Sequence, residues 1–187
     1  MIGFGENRKT RTMERQDDNP ALISAALEDP AAFGMLYDRY VQHIYRYAYS
    51  RVENTRVAED ITSQTFMAAY ESLGRYRERG YFSAWLFRIA QSEINNHFRR
   101  SRREVGLDAA ERIVEVDDAL GALIQNEELI RLQSLIKKIN DDERELIRLR
   151  YVADLSFVEM AELLGKREDA VKKSVYRLLG RLKGQME

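Results

Sequence analysis

Apolar residues recur along most of this chain at the spacing of a helix and not of a strand. Residues 31–51 carry Phe33, Leu36, Tyr37, Tyr40, Ile44, Tyr47 and Ala48, close to the i, i+3, i+4, i+7 pattern that lines one helical face. The pattern predicts helices over 20–28, 31–51, 55–73 and 82–100, which can pack as one bundle. The only prolines, Pro20 and Pro30, stand near the start, so long helices are permitted beyond them. The periodicity fades in two places. Residues 1–19 are polar and read as a disordered extension. Residues 104–126, "EVGLDAAERIVEVDDALGALIQN", are acidic, weakly patterned, and read as a linker. Helical spacing returns over 127–187. The reading is an all-α protein with two helical domains, 20–103 and 127–187, joined by a flexible acidic linker.

The second domain carries the sharpest local signals. "NDDERELIRLRYV" opens on Asn140 as N-cap, with Glu143 at the capping-box position and Asp141 and Asp142 where the helix dipole favours negative charge. "SFVEMAELLGKREDAVKKSVYRLL" repeats the device with Ser156 and Glu159. Ala161 is small where two helices cross, and Gly165 falls where a tight turn needs a positive φ. Val171, Val175 and Leu178 bring the next helix back to the core. This is helix-turn-helix spacing. The opposite face offers Lys172, Lys173, Ser174, Tyr176 and Arg177, with Arg167 before it and Arg181 and Lys183 beyond. A helix entering a major groove needs such a face: cations for phosphates, and Lys, Arg and Ser for base edges. An ordinary helical hairpin with a solvated basic face has the same pattern.

The first domain shows two contrasting faces. In 82–103, Phe82, Trp85, Leu86, Ile89, Ala90, Ile94 and Phe98 make one apolar stripe. Arg88, Gln91, Asn95 and Arg99 make a polar one, extended by Arg100, Arg102 and Arg103. Amides pair with bases and guanidiniums with phosphates. The preceding loop, "RYRERGY", adds Arg75, Arg77 and Tyr81, a basic aromatic setting suited to unstacked bases. In 55–73, Asp60, Gln64, Met67 and Glu71 share one exposed, mildly acidic face, while Ile61, Ala68, Ala69 and Leu73 go to the core. A Met among polar groups suits a protein contact. A solvated surface is the bland reading of both faces.

Composition narrows the class. Of 187 residues, 44% are hydrophobic and 33% charged, which supports a charged surface over a real core. The net charge is −1, so any attraction to nucleic acid must come from how charge is distributed. There is no cysteine and there are only two histidines, His43 and His97, so no metal or cofactor is expected. No apolar run approaches the roughly 20 residues that span a bilayer, and the start lacks a secretory apolar segment. A cytoplasmic protein without direct membrane insertion is expected. The sequence holds no nucleophile–base pair, no Glu-x-x-His and no Gly-rich phosphate loop, so it is not read as an enzyme.

"AEDITSQTFMAAYESLGRY" followed by "FSAWLFRIAQSEINNHFRR" resembles region two of the extracytoplasmic-function (ECF) class of bacterial sigma factors, in the sigma-70 family. "DDERELIRLRYVADLSFVEMAELLGKREDAVKKSVYRLLGRLK" resembles their region four. The resemblance implies a subunit that directs core RNA polymerase to promoters and helps open them, nucleoid-associated when in holoenzyme. It implies that Asp60, Gln64, Met67 and Glu71 meet the β′ clamp. Arg75, Arg77, Tyr81, Arg88, Gln91, Asn95, Asn96, Arg99 and Arg100 would hold the melted minus-ten element. Arg167, Lys172, Lys173, Ser174 and Arg177 would read the minus-thirty-five duplex, with the β flap holding region four. An anti-sigma factor is a further implied partner. The chain departs from the family at Ile139-Asn140, where a Leu-Pro pair is common, and at Ala170-Val171-Lys172-Lys173, where Thr-Val-Lys-Ser is common. A stand-alone helix-turn-helix regulator and a sigma-like decoy for an anti-sigma factor are the competing readings.

Near-neutral total charge limits counterion-driven attraction. The isolated chain is therefore expected to bind promoter duplex weakly at physiological salt. A gel shift showing tight, specific binding without polymerase would contradict this.

Overall fold

A computed structural model describes residues 20–76, 81–104 and 127–186. The N-terminal extension, Arg77 and Glu78 of the basic loop, and nearly all of the linker lie outside the described residues. Within them every regular element is helical. The first module comprises α1 (Pro20–Ala26), α2 (Pro30–Val52), α3 (Thr55–Ser72), a 3-10 turn (Leu73–Arg75) and α4 (Phe82–Glu104). The second comprises α5 (Glu127–Lys138), α6 (Asp141–Ile147), a π turn (Arg148–Val152), α7 (Phe157–Leu164) and α8 (Glu168–Met186). Among the described residues, no helix is long and apolar enough to cross a membrane.

Local chemistry sets the boundaries. The Asp29 carboxylate accepts from the Ala31 N–H at 2.8 Å, and Pro30 sits in the first helical turn, where its missing N–H is no loss. α2 ends at Glu53, left-handed at φ 53°, whose N–H reaches the Tyr49 carbonyl. Asn54 at once caps α3 by accepting from the Val57 N–H at 3.0 Å. This two-residue connection folds α3 back along α2. Leu36, Tyr40, Ile44 and Tyr47 of α2 are buried against Ile61 and Phe66 of α3 and Phe82, Leu86, Phe87 and Ile94 of α4. The Tyr40 and Phe82 rings lie 5.7 Å apart and those of Tyr47 and Phe87 5.3 Å apart, edge or tilted contacts that aromatic quadrupoles favour.

Several expected apolar positions differ. Ala68, Trp85 and Ile89 are half-buried, Phe98 is 37% exposed, and Tyr37 of the α2 stripe is 41% exposed. Trp85 packs at 5.1 Å on Tyr76 and 5.3 Å on Phe82, at the foot of the basic loop. Phe98 lies on the arginine-rich last turns of α4, where it lines an open groove instead of the bundle.

In the second module both strands of the Ser156–Glu159 capping box form. The Glu159 N–H donates to Ser156 Oγ at 3.2 Å, and the Ser156 N–H donates to Glu159 Oε2 at 2.7 Å. Gly165 has φ 62°, and the following Lys166 N–H reaches back to the Ala161 carbonyl at 2.9 Å. α8 leaves this turn with Val171, Val175, Leu178 and Leu182 buried. Leu178 and Leu182 also form a smaller core with Leu135 and Ile139, which fastens α5 to α8. At Asn140 the side chain accepts from the Glu143 N–H at 2.9 Å, and the Glu143 carboxylate takes its strongest bond from Arg181 at 2.6 Å. A charge-assisted bond to a guanidinium is stronger than one to a neutral amide.

The two modules are packed together. Leu149, Ala153, Leu155, Met160, Val171 and Val175 belong to the same continuous core as α2, α3 and α4.

The Gly165 turn can be tested directly. A Cβ there meets nothing within 4 Å, so only backbone strain opposes one. G165A is expected to lower stability by about 1–2 kcal/mol and S156A by about 1 kcal/mol, both read by urea denaturation.

Candidate nucleic-acid and polymerase interfaces

On α8 the helical period does the sorting. With Val171, Val175 and Leu178 turned inward, Lys172, Lys173, Ser174 and Arg177 all emerge exposed. Tyr176 stands beside them, its ring 5.8 Å from Phe157. Arg167 is exposed in the turn, 3.9 Å from the Asp169 carboxylate. Arg181 leaves this set: its bond to Glu143 braces α8 against α6. That hydrogen bond holds the Glu143 carboxyl below its ordinary 4.5, despite some desolvation.

On α3, Asp60, Gln64, Met67 and Glu71 all emerge exposed, Met67 by 63%. The opposite side is sealed. Thr62 and Thr65 are buried, and their hydroxyls donate to the Ala58 and Ile61 carbonyls at 2.7 Å each. Polar side chains there satisfy themselves within the helix and leave the apolar stripe unbroken.

On α4, Arg88, Asn95, Arg99 and Arg100 are exposed, while Gln91 and Asn96 are half-buried. Arg99 donates to Asn96 Oδ1 at 3.0 Å. Arg75 is exposed at the end of the 3-10 turn, and Tyr81 is half-buried against the core. An open groove of about 690 Å³ runs along the far end of the helix, lined by Arg51, Asn95, Phe98, Arg99, Arg102 and Arg103. Four guanidiniums around an apolar ring and an amide suit a phosphate chain with bases beside it. Arg51 was not singled out from sequence. It ends α2, and only folding brings it to α4.

Two of the α4 residues face the second module. Arg88 Nη2 donates to the Glu162 carbonyl at 3.1 Å, and Gln91 Nε2 donates to Glu145 Oε1 at 3.2 Å. Glu145, on α6, is the centre of this junction. It also accepts from the Tyr47 hydroxyl at 2.5 Å and from Arg51 at 2.7 Å, with Arg148 at 3.8 Å. Burial, and then the Glu145 charge, push the Tyr47 hydroxyl well above its ordinary 10.0, so it stays a donor. Burial, and then the neighbouring Arg51 charge, pull Arg148 below its ordinary value. Nearby, the Ser83 hydroxyl donates to Glu159 Oε1 at 2.5 Å in a buried contact. Among the described residues no cluster of His, Cys, Asp or Glu has the grouping of a metal site.

Residues 36–104 match the family model for sigma-70 region 2, and residues 129–182 match that for sigma-70 region 4. The chain is 36% identical over 153 residues to the ECF RNA polymerase sigma factor BldN of Streptomyces coelicolor. That match covers 78% of this chain and 57% of the longer relative. It is 30% identical over 164 residues to the ECF RNA polymerase sigma factor SigW of Bacillus subtilis, covering 80% of this chain and 86% of that one. The solved structure of CnrH in complex with the cytosolic domain of CnrY superposes with a TM-score of 0.64 at 26% identity, covering 90% of this chain and 96% of that one. CnrH is an RNA polymerase sigma factor of Cupriavidus metallidurans.

The Glu143–Arg181 pair generates a pH prediction. A carboxyl with a depressed folded pKa adds stability above its unfolded value and loses it as pH falls through the folded one. Glu143 is expected to titrate below 4.5 by carboxyl NMR, and R181M is expected to move it back up. An unchanged Glu143 titration in R181M would contradict the pairing.

Proposed function

The chain belongs to the ECF class of sigma-70 family RNA polymerase sigma factors, and we propose that it directs core polymerase to promoters through three separate surfaces. The observation that carries this reading is the sorting of exposed charge: acidic on α3, cationic on α4 and again on α8. The α3 face of Asp60, Gln64, Met67 and Glu71 docks on the β′ clamp. Its carboxylates steer toward a basic partner, and Met67 supplies adaptable apolar contact. The α8 face enters the major groove of the minus-thirty-five element, where Arg and Lys read acceptor-rich base edges, while the rest of region four rests on the β flap.

The α4 ridge and its groove hold the opened minus-ten strand. Cations supply attraction independent of sequence, and the amides of Gln91, Asn95 and Asn96 supply discrimination. Trapping an unstacked base near Arg75 and Tyr81 offsets an unpairing cost of a few kcal/mol. The protein itself catalyses nothing; it changes which duplex the polymerase holds and how easily it opens. CnrH is held by the cytosolic domain of CnrY in its solved complex. An anti-sigma factor is the corresponding partner for this cytoplasmic chain, and it would withhold these surfaces until release.

Run-off transcription with purified core polymerase over a promoter library tests the reading and reads out both elements at once. Absence of template-specific product would sink it. D60K is expected to abolish association with core enzyme. K173A is expected to weaken upstream-element use with core binding intact, and to reduce the log–log salt slope of promoter binding by about 1.

A further inference from the structure

The contacts around Glu145 go beyond packing. One carboxylate, 14% exposed, takes donors from three positions of the first module: Tyr47, Arg51 and Gln91. On its own side Arg148 completes the cluster and also donates to the Ser50 carbonyl at 3.1 Å. Without Glu145, Arg51 and Arg148 would face each other with no counter-charge between them. An uncompensated, partly buried guanidinium pair is strongly unfavourable. A single carboxylate thus supplies the counter-charge that both guanidiniums share at the seam.

The seam engages residues with another use. Arg51 lines the arginine groove, and Arg88 and Gln91 belong to the minus-ten set. A carboxylate and a phosphate compete for the same donors. The α8 face, by contrast, lies fully outside. Distance adds an independent constraint. The minus-ten and minus-thirty-five elements lie about 25 base pairs apart, roughly 85 Å of straight duplex at 3.4 Å per pair. α4 and α8 contribute to one packed core, and at 1.5 Å per residue they are only about 35 Å and 29 Å long, too short together to span that distance. Residues 105–126 are chain enough for separation, up to roughly 75 Å if fully extended.

Resting on the sigma-factor reading above, we propose that Glu145 is an intramolecular latch. Its carboxylate occupies Arg51 of the arginine groove and Gln91 of the minus-ten set, and holds region four against region two. The closed chain cannot engage both promoter elements. Opening removes Glu145 from Arg51 and Gln91, and the Glu162 carbonyl from Arg88, and leaves all three to the strand.

The chain has no cysteine, so Q42C and Q185C, both at exposed positions, place one dye on each module. Energy transfer in the free protein should be high in the parent and fall in E145A. Binding of a fluorescein-labelled single-stranded minus-ten oligonucleotide should tighten about tenfold in E145A. Circular dichroism and a cooperative urea transition confirm that the variant is folded. If E145A does not fold, Y47F decides. It keeps the buried ring and removes one donor, and a smaller fall in energy transfer is expected. Parental energy transfer and affinity in the folded variants overturn the latch. Run-off transcription in parallel separates the two ideas. Product from the parent with unchanged energy transfer in E145A rejects the latch alone. No product from the parent rejects the sigma reading, whatever the dyes report.

Discussion

A helix in water must bury one face, and among the described helices that requirement decides where most charged side chains point. The apolar stripes of α2, α3, α4, α7 and α8 meet in one continuous core. Each helix is thereby fixed in rotation about its axis. The residues on its back cannot choose their direction. Asp60 through Glu71 on α3, Arg88 through Arg103 on α4 and Lys172 through Arg177 on α8 are displayed because Ile61, Phe66, Leu86, Ile94, Val171 and Val175 are hidden. Display and burial are one event, which is how a chain of near-neutral charge comes to carry surfaces of opposite sign.

That coupling also explains what was readable before folding. Helix positions, the Ser156 box and the Gly165 turn depend on neighbours within a few residues, and periodicity captures them. The exposed faces follow from the same period. What the chain did not disclose were pairings across long separations. Glu145 meets Tyr47 and Arg51 across 98 and 94 residues. Nothing local marks it as different from any other acid on a short helix. Arg181 looked like part of the α8 surface until α6 supplied Glu143. Phe98 fits its stripe by spacing, yet it lines a groove, because period alone does not say how far a core extends.

The junction between modules illustrates how buried charge acts. A paired carboxylate in a seam adds little net stability over apolar packing, because desolvation offsets most of the attraction. Its effect is on specificity of arrangement: a misregistered seam would strand Arg51 and Arg148, so few alternative dockings are tolerable. The apolar contribution of Leu149, Leu155 and Met160 is permissive by comparison. Oily surfaces slide, whereas a carboxylate with converging donors has one place to sit.

Trp85 is the only tryptophan in the chain. It is half-buried, stacked at an angle on Tyr76 and Phe82 beside the basic loop. Indole emission is therefore a native, label-free optical probe of that corner. A nucleobase lodging there would quench it, and a solvent change at α4 would shift its colour, with excitation set to the red of tyrosine absorption so that the ten tyrosines stay dark.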